Sequence, residues 1–481
     1  MTPTGVADMA MRIVDQERGA VLVGRRSSVE AVVSLLAAQP HGGIRISGSI
    51  VLDAGATLTR AALKKVGDVG SAILCGFVDD RAAARKLLEQ IAALRLRPLI
   101  ADLSDTGVII RPMAMADVLG RAPSPVDWEN IRGAFEGKRV LVTGAGGSIG
   151  SELVRQLVAL NPARLTLLDS SEFNLFSIDH ELAQIAPDVV RVPALCCIRN
   201  QDALTRWFAR ERPEIVFHVA ALKQVPLLES HAGECVLTNI MGTRNVARAS
   251  RAAGAHMVLV STDKAVSPRS TMGASKRMAE AYCQALDVQC GARGGSHFLV
   301  ARLGNVLGST GSVSPLFERQ LKRGGPLTVT HPDVVRYFIT IPQAAAFLLQ
   351  ACATALGAGE AAPRGVAHVL DMGEPVRVID LASDMIRLAG LQPEEDVKIR
   401  FVGLRPGEKL AEQLVDDNEW VVGDHSGPVM AVASEPRDID AVDRDMDALI
   451  GLANAGRDEM VKARLMALVG VTSEERDLAV G

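Results

Sequence analysis

A hydroxyl, a carboxylic acid and an amine stand side by side at Thr262-Asp263-Lys264, where the apolar run Val258-Leu259-Val260 ends. A carboxyl group beside an amine can give and take protons in one site, so this pair is a candidate for general acid–base work. Eight residues after Lys264 comes Met272, and four further on Lys276, in a segment that opens a helical pattern. Residues four apart share a helix face, so Met272 and Lys276 point the same way. Methionine has no proton to exchange. The chain holds only two tyrosines, Tyr282 and Tyr337, and neither replaces Met272 at that spacing from Lys276. Proton transfer therefore falls to Asp263 and Lys264. The plainer alternative is a surface ion pair at a strand end, with Met272 as packing.

A second constellation precedes this one. The apolar run Arg139-Val140-Leu141-Val142-Thr143 leads into Gly144-Ala145-Gly146-Gly147-Ser148-Ile149-Gly150, and a helical pattern follows at once. Gly144 permits a tight strand-to-helix turn, and Gly147 lets the backbone approach a pyrophosphate. Gly150 lets helix and strand pack closely, while the helix amino terminus faces the negative charge. The next apolar run, Leu165-Thr166-Leu167-Leu168, ends in Asp169, nineteen residues beyond Gly150. A carboxylate there can accept hydrogen bonds from an adenosine ribose diol. It would also repel a 2′-phosphate, so NAD is expected over NADP, with Ser170 and Ser171 leaving some room for a phosphate. The seven cysteines form no CxxC pair and no metal-ligand spacing, so no metal is expected.

Elements to position these residues follow from the rhythm of the chain. Residues 138–420 alternate strand and helix patterns, which predicts a doubly wound parallel sheet of the α/β class. Residues 19–120 alternate in the same way and predict a smaller, degenerate Rossmann-like α/β domain. Its first strand ends Val23-Gly24-Arg25-Arg26-Ser27-Ser28, without later glycines and with two arginines where backbone would meet pyrophosphate, so scaffolding or regulation is its expected role. Residues 1–18 read as a leader, 121–137 as a linker and 421–481 as a helical tail. Net charge is −4 with no basic block, which argues against nucleic acid as a partner. Scattered, odd-numbered cysteines fit a reducing compartment. The amino terminus lacks the apolar segment of a signal peptide, and no run of about eighteen consecutive apolar residues predicts a membrane span. A cytoplasmic location is expected.

The TGxxGxxG spacing resembles that of extended short-chain dehydrogenases/reductases, whose helix usually carries YxxxK; Met272 occupies the tyrosine place. The segment STDKAVSPRSTMGASKRMAE at 261–280 resembles, more narrowly, the bacterial polysaccharide-biosynthesis dehydratases that act on UDP-N-acetylglucosamine. VLVTGAGGSIGSEL at 140–153, FHVAALKQVPLLE at 217–229, NIMGTRNV at 239–246, ARLGNVLGSTGSVSPLFERQ at 301–320, LTVTHPDVVRYFIT at 327–340 and GLRPGEKL at 403–410 agree with it. RPMAMADVLGR at 111–121 sits where that family has its interdomain motif, and the usual amino-terminal membrane spans are lacking.

The resemblance implies a 4,6-dehydratase that makes a UDP-4-keto-6-deoxy sugar by internal hydride transfer through bound NAD, in surface polysaccharide or glycan biosynthesis. It implies Lys264 as the base at carbon 5, which requires burial or neighbouring charge to favour the free amine. Asp263 is implied as the acid at the carbon 6 hydroxyl, Thr262 as a hydrogen-bonding group near carbon 4, and Lys276 as the holder of the nicotinamide ribose. Ser148, Ile149, Ala220 and Ala221 are implied beside the cofactor. Lys223, Asn305, Arg336, Arg405, Glu408 and Lys409 are implied on the UDP-sugar side, where cations suit a diphosphate. Departures are Cys197 in place of an adenine-binding aspartate, Gln224 for a histidine and Val219 for an alanine. His218 reads as a packed strand residue. A UDP-sugar 4-epimerase and a non-catalytic NAD or UDP-sugar-binding regulator remain as alternatives, and a homo-oligomer is expected.

Overall fold

The computed structural model describes residues 18–38, 44–52, 57–76, 81–104, 107–119, 126–422 and 429–470. The expected leader up to residue 17, the start of the linker at 121–125 and the end of the tail at 471–481 lie outside these. The chain divides into two compact units. One comprises Met1–Ser124, Leu316–Pro332 and Arg377–Val402; the other comprises Pro125–Pro315, Asp333–Val376 and Gly403–Gly481. Two segments of the 138–420 stretch thus belong with the amino-terminal unit.

In the first unit, β1 (Gly19–Gly24), β2 (Ile46–Val51), β3 (Val69–Cys75), β4 (Arg97–Ser104) and β5 (Gly107–Pro112) form a sheet of order β2-β1-β3-β4-β5. All neighbours are parallel except β4 and β5. Val21, Val23, Leu74, Leu88 and Ile91 make one side of its core. The helix Val378–Leu388 joins this unit through charge as well as packing: Arg85 reaches Asp380 at 3.3 Å and Asp384 at 2.9 Å.

The second unit is built on nine strands: β6 (Arg139–Thr143), β7 (Arg164–Asp169), β8 (Arg191–Leu195), β9 (Ile215–His218), β10 (His256–Thr262), β11 (Phe298–Leu303), β12 (Val366–Leu370), β13 (Glu419–Val422) and β14 (Val429–Ser434). Their order is β13-β14-β12-β11-β10-β9-β6-β7-β8, and the seven from β12 to β8 are parallel. Parallel strands covered on both faces need nearly unbroken apolar sequence, which is what Leu141, Phe217, Val258 and Leu259 supply. Strand order reverses between β6 and β9, so a crevice opens beyond the carboxyl ends of these strands. This doubly wound sheet, with the smaller α/β sheet of the first unit, is the architecture the sequence predicts.

The stretch expected as a helical tail begins instead with strand: β14 pairs antiparallel with β12 and covers its otherwise unpaired edge, and β13 pairs antiparallel with β14. Helices follow only at Ile439–Asn454 and Asp458–Leu468. Among the described residues one helix, Ile341–Ala358, is long and apolar enough to cross a membrane. Its Ala344, Ala345, Leu348, Leu349 and Cys352 are buried in the core.

Candidate active site

A cleft of about 730 Å³ occupies the crevice, and its walls carry both constellations read from the sequence. At one end lie Gly144, Gly147, Ser148, Ile149, Asp169, Ser170, Ala220 and Ala221. Gly144 takes a φ of +67°, the left-handed turn that a side chain resists. A Cβ on Gly150 would collide with the carbonyl oxygen of Gly144, so only glycine lets the helix start this close to the strand. The helix Ser148–Val158 begins after Gly147 with no side-chain cap, which leaves its first amides free for an anion. Asp169 accepts from the amides of Gly146 at 3.0 Å and Ser171 at 2.9 Å, tying the loop to the end of β7. Each of its oxygens keeps a further lone pair for a ribose hydroxyl. A dinucleotide fits this cradle.

His218 is buried beneath the loop. Thr243 donates to the carbonyl of Asn239 at 2.6 Å, so its oxygen must accept from Nε2–H of His218, 3.0 Å away. Nδ1 of His218 then accepts from Thr143, 2.8 Å away, and Thr143 in turn accepts from the amide of Ala220. Burial, with Lys276 adding to it, pushes this imidazole down to about 3, so it is neutral and structural.

At the other end β10 delivers Thr262-Asp263-Lys264. Nζ of Lys264 donates to Asp263 at 2.9 Å and to Asn305 at 3.0 Å, and the Thr262 hydroxyl donates to the same Asp263 oxygen at 2.8 Å. Thr262, Lys264 and Asn305 line the cleft; Asp263 lies under them, 0 % exposed. Its Oδ2 has no hydrogen-bond partner among the described residues. The surroundings of Lys264 differ from the sequence expectation. Its close neighbours are carboxylates, Asp263 and, at 3.9 Å, the buried Glu412.

The helix Thr271–Gly291 starts at Ser270, whose hydroxyl caps the amide of Gly273 at 3.0 Å. A Cβ on Gly273 would collide with the carbonyl of Lys264, so this glycine lets the helix press against the strand end. Met272 and Lys276 both face the cleft. Burial pushes the Lys276 amine down to about 8, against the pull of Glu280 one turn on. No hydrogen bond occupies its Nζ among the described residues, so it is free for ribose hydroxyls.

Lys223 also lines the cleft, 3.3 Å from the Ser309 hydroxyl, and burial lowers its amine. Arg336, Arg405 and Glu408 do not line it. Both terminal nitrogens of Arg336 are engaged, by the carbonyls of Val335, Leu410 and Lys409 with Glu408 at 3.4 Å, so it staples the 408–410 turn. Lys409 is held by the Val266 carbonyl at 2.8 Å and Glu412 at 3.3 Å. The expected diphosphate-binding group is therefore brought to the cleft only through Lys223 and Asn305. Glu412 and Gly273 were not singled out by sequence reasoning. The only signal for Glu412 was an acid three residues after Lys409. Cys197 lines the adenosine end as a free, exposed thiol. No group of three or more metal-ligating residues occurs among the described residues.

A doubly wound sheet with a glycine loop at its switch point, and an acid–amine pair across the crevice, defines an extended short-chain dehydrogenase/reductase fold. Residues 140–434 match the family described as polysaccharide biosynthesis protein, and the chain belongs to that family. It is 43% identical over 312 residues to the capsular polysaccharide biosynthesis protein CapD of Staphylococcus aureus, a match covering 64% of this chain and 50% of that protein. The chain thus spans about half the length of that relative. A UDP-glucose 4-epimerase of Rickettsia bellii is 31% identical over 310 residues, covering 63% of this chain and 85% of the epimerase. The X-ray structure of Pen from Bacillus thuringiensis superposes with a TM-score of 0.53 at 31% identity, covering 63% of this chain and 88% of Pen.

Proposed function

We propose that the chain is a UDP-N-acetylglucosamine 4,6-dehydratase that forms a UDP-4-keto-6-deoxy-N-acetylhexosamine for surface polysaccharide or glycan assembly. The observation that carries this reading is the Thr262-Asp263-Lys264 cluster facing a helix whose tyrosine place is Met272. NAD bound in the glycine cradle would accept a hydride from the sugar and return it. Gly144, Gly147, Ser148, Ile149, Ala220 and Ala221 would hold its pyrophosphate side, with the Asp169 and Ser170 end taking the adenosine ribose. Asp169 favours NAD over NADP by repelling a 2′-phosphate. Lys276 holds the other ribose through its open amine. Lys223 and Asn305 face the UDP-sugar.

Hydride would leave carbon 4 as the 4-hydroxyl gives its proton to the Thr262 oxygen and the Thr262 hydroxyl passes its own to the Asp263 carboxylate, along the contact in which Thr262 donates to Asp263. With a ketone at carbon 4, the hydrogen on carbon 5 becomes acidic, and Lys264 takes that proton as the free amine. Asp263, buried under Thr262, hands its proton back through Thr262 to the hydroxyl leaving carbon 6, and water departs. Asp263 is then carboxylate and Lys264 ammonium, the ion pair joined at 2.9 Å. As hydride returns to carbon 6, Lys264 gives its proton back to carbon 5, and both groups end as they began.

The second reading is a UDP-sugar 4-epimerase, favoured by the 31% identity to such an enzyme. Both reactions take the proton of the 4-hydroxyl, but only the dehydratase needs a base at carbon 5, and the Lys264 amine beside Asp263 supplies one. Mass spectrometry of UDP-N-acetylglucosamine incubated with the protein and catalytic NAD tests the choice. Loss of one water without net NADH is expected; conversion to the galacto isomer at unchanged mass would establish the epimerase. Asp263→Asn is expected to abolish water loss while NAD binding survives. Full activity in that variant would remove Asp263 from the mechanism.

A further inference from the structure

The acid–base scheme leaves one charge without a partner. When Lys264 takes up the carbon 5 proton, Asp263 still carries its own, because it gives it up only as the hydroxyl leaves. The new ammonium therefore forms beside a neutral acid. Among the described residues the one other carboxylate paired with Lys264 is Glu412, with Oε1 at 3.9 Å. Glu412 is itself buried, and its Oε2 has no hydrogen bond despite the Lys409 amine at 3.3 Å. A carboxylate held dry next to an amine, with spare lone pairs, is costly unless it has an ionic task.

We propose that Glu412 is the positioning residue that serves as counter-ion to Lys264 at the moment of proton abstraction. The role rests on the dehydratase reading for its chemistry, and on the local geometry for its electrostatics. The groups that face Lys264 are Asp263 and Thr262 from its own strand end, Asn305 from β11's continuation, and Glu412 backed by Lys409 from the 403–414 loop, while Lys276 faces the same cleft from its helix. Lys409 is anchored on the Val266 carbonyl, two residues beyond Lys264, so the loop and the strand end move as one. That contact fixes where the Glu412 charge stands.

The test is Glu412→Gln in the full chain, read in two ways. First, the Lys264 side chain is titrated by NMR without substrate. It is expected to lose its proton at a pH lower by about one unit than in the wild type, since a single nearby charge commonly shifts a titration by that much. Second, kcat is measured against pH. The acid limb is expected to move down with the titration, and the plateau above it to fall about threefold or more, because a weaker base abstracts more slowly. KM should stay within about twofold. Lys409→Met removes both the cation that competes for Glu412 and its tether to the Val266 carbonyl, and is expected to shift the Lys264 titration as well. An unmoved Lys264 titration in both variants overturns the proposal, as does a fallen kcat whose pH limb has not shifted. Should the wild type release no water from the substrate, the dehydratase reading fails by itself, and the NMR titration still decides the role of Glu412.

Discussion

Arg302→Met is the most informative perturbation of the frame around the site. Arg302, on β11, is 0 % exposed. Its guanidinium donates to both oxygens of Glu280 at 3.0 and 2.8 Å and to both oxygens of Glu419 at 2.6 Å. Glu280 stands one turn beyond Lys276 on the same helix, and Glu419 opens β13, so one residue joins the catalytic helix to two strands. Removing it leaves two buried carboxylates, and breaking a buried pair in this way costs about 3–5 kcal/mol. Arg277 still reaches Glu280 at 3.3 Å and Glu419 at 2.7 Å, which places the expected loss at the low end, about 3 kcal/mol. For a unit of this size that corresponds to roughly 4–5 °C in melting temperature. The loss also depends on pH in a stated direction. Burial pushes the Glu419 carboxyl up, but the hydrogen bonds and charge of Arg302 outweigh it and hold it at about 2. A folded value below the unfolded one contributes stability above about pH 4.5, lost as pH falls toward 2. The difference between wild type and variant should therefore be largest near neutrality and shrink below pH 4.5. Denaturant unfolding of both proteins across that range measures it. Replacing Glu280 and Glu419 by Gln as well should recover most of the loss, because no buried charge then lacks a partner. A loss under about 1 kcal/mol at pH 7, or one that is flat with pH, would refute the reasoning.

Gly150→Ala drives a Cβ into the Gly144 carbonyl and must open the loop, so NAD affinity measured by calorimetry should fall by about 100-fold or more; a change within about threefold would show that the loop does not hold the pyrophosphate. Burial holds His218 at about 3 and His368 at about 4, below the unfolded value, so the unfolded state binds protons first as pH falls through 6.5. At pH 5.5 each costs about 1.4 kcal/mol, and with His256, also held at about 4, denaturant unfolding should show a loss of roughly 4 kcal/mol from pH 7.5; equal stability at both would mean these rings are charged when folded. Cys197→Asp restores an acceptor at the adenosine end of the cleft and is expected to tighten NAD binding by about fivefold, the worth of one hydrogen bond; no gain would place the adenine away from residue 197.

The parts of this protein that are local in the chain were legible from the chain. The glycine loop, Asp169, the acid–amine pair and the Met272–Lys276 face depend on spacings within one strand, one turn or one helix, and the structure gathers them round one cleft. The apolar runs of β6, β7 and β10 announced buried strands of a doubly wound sheet. Other features were decided only by tertiary structure, because they depend on which distant groups meet. Arg336 reads as a phosphate ligand until its terminal nitrogens are seen to be taken by the carbonyls of Val335, Lys409 and Leu410. Glu412 carries no signal in the sequence beyond its spacing from Lys409, and only the fold buries it beside Lys264. Arg302, Glu280 and Glu419 lie far apart in sequence and become one ion network only when β11, the catalytic helix and β13 come together. Short apolar runs such as those of β13 and β14 carry little periodicity, so the sequence predicts a helical tail there, and it is pairing of β14 on the open edge of β12, with β13 on β14, that makes them strands. Hydrogen-bond saturation and the pairing of buried charge are properties of assembled surfaces, and no spacing along the chain encodes them.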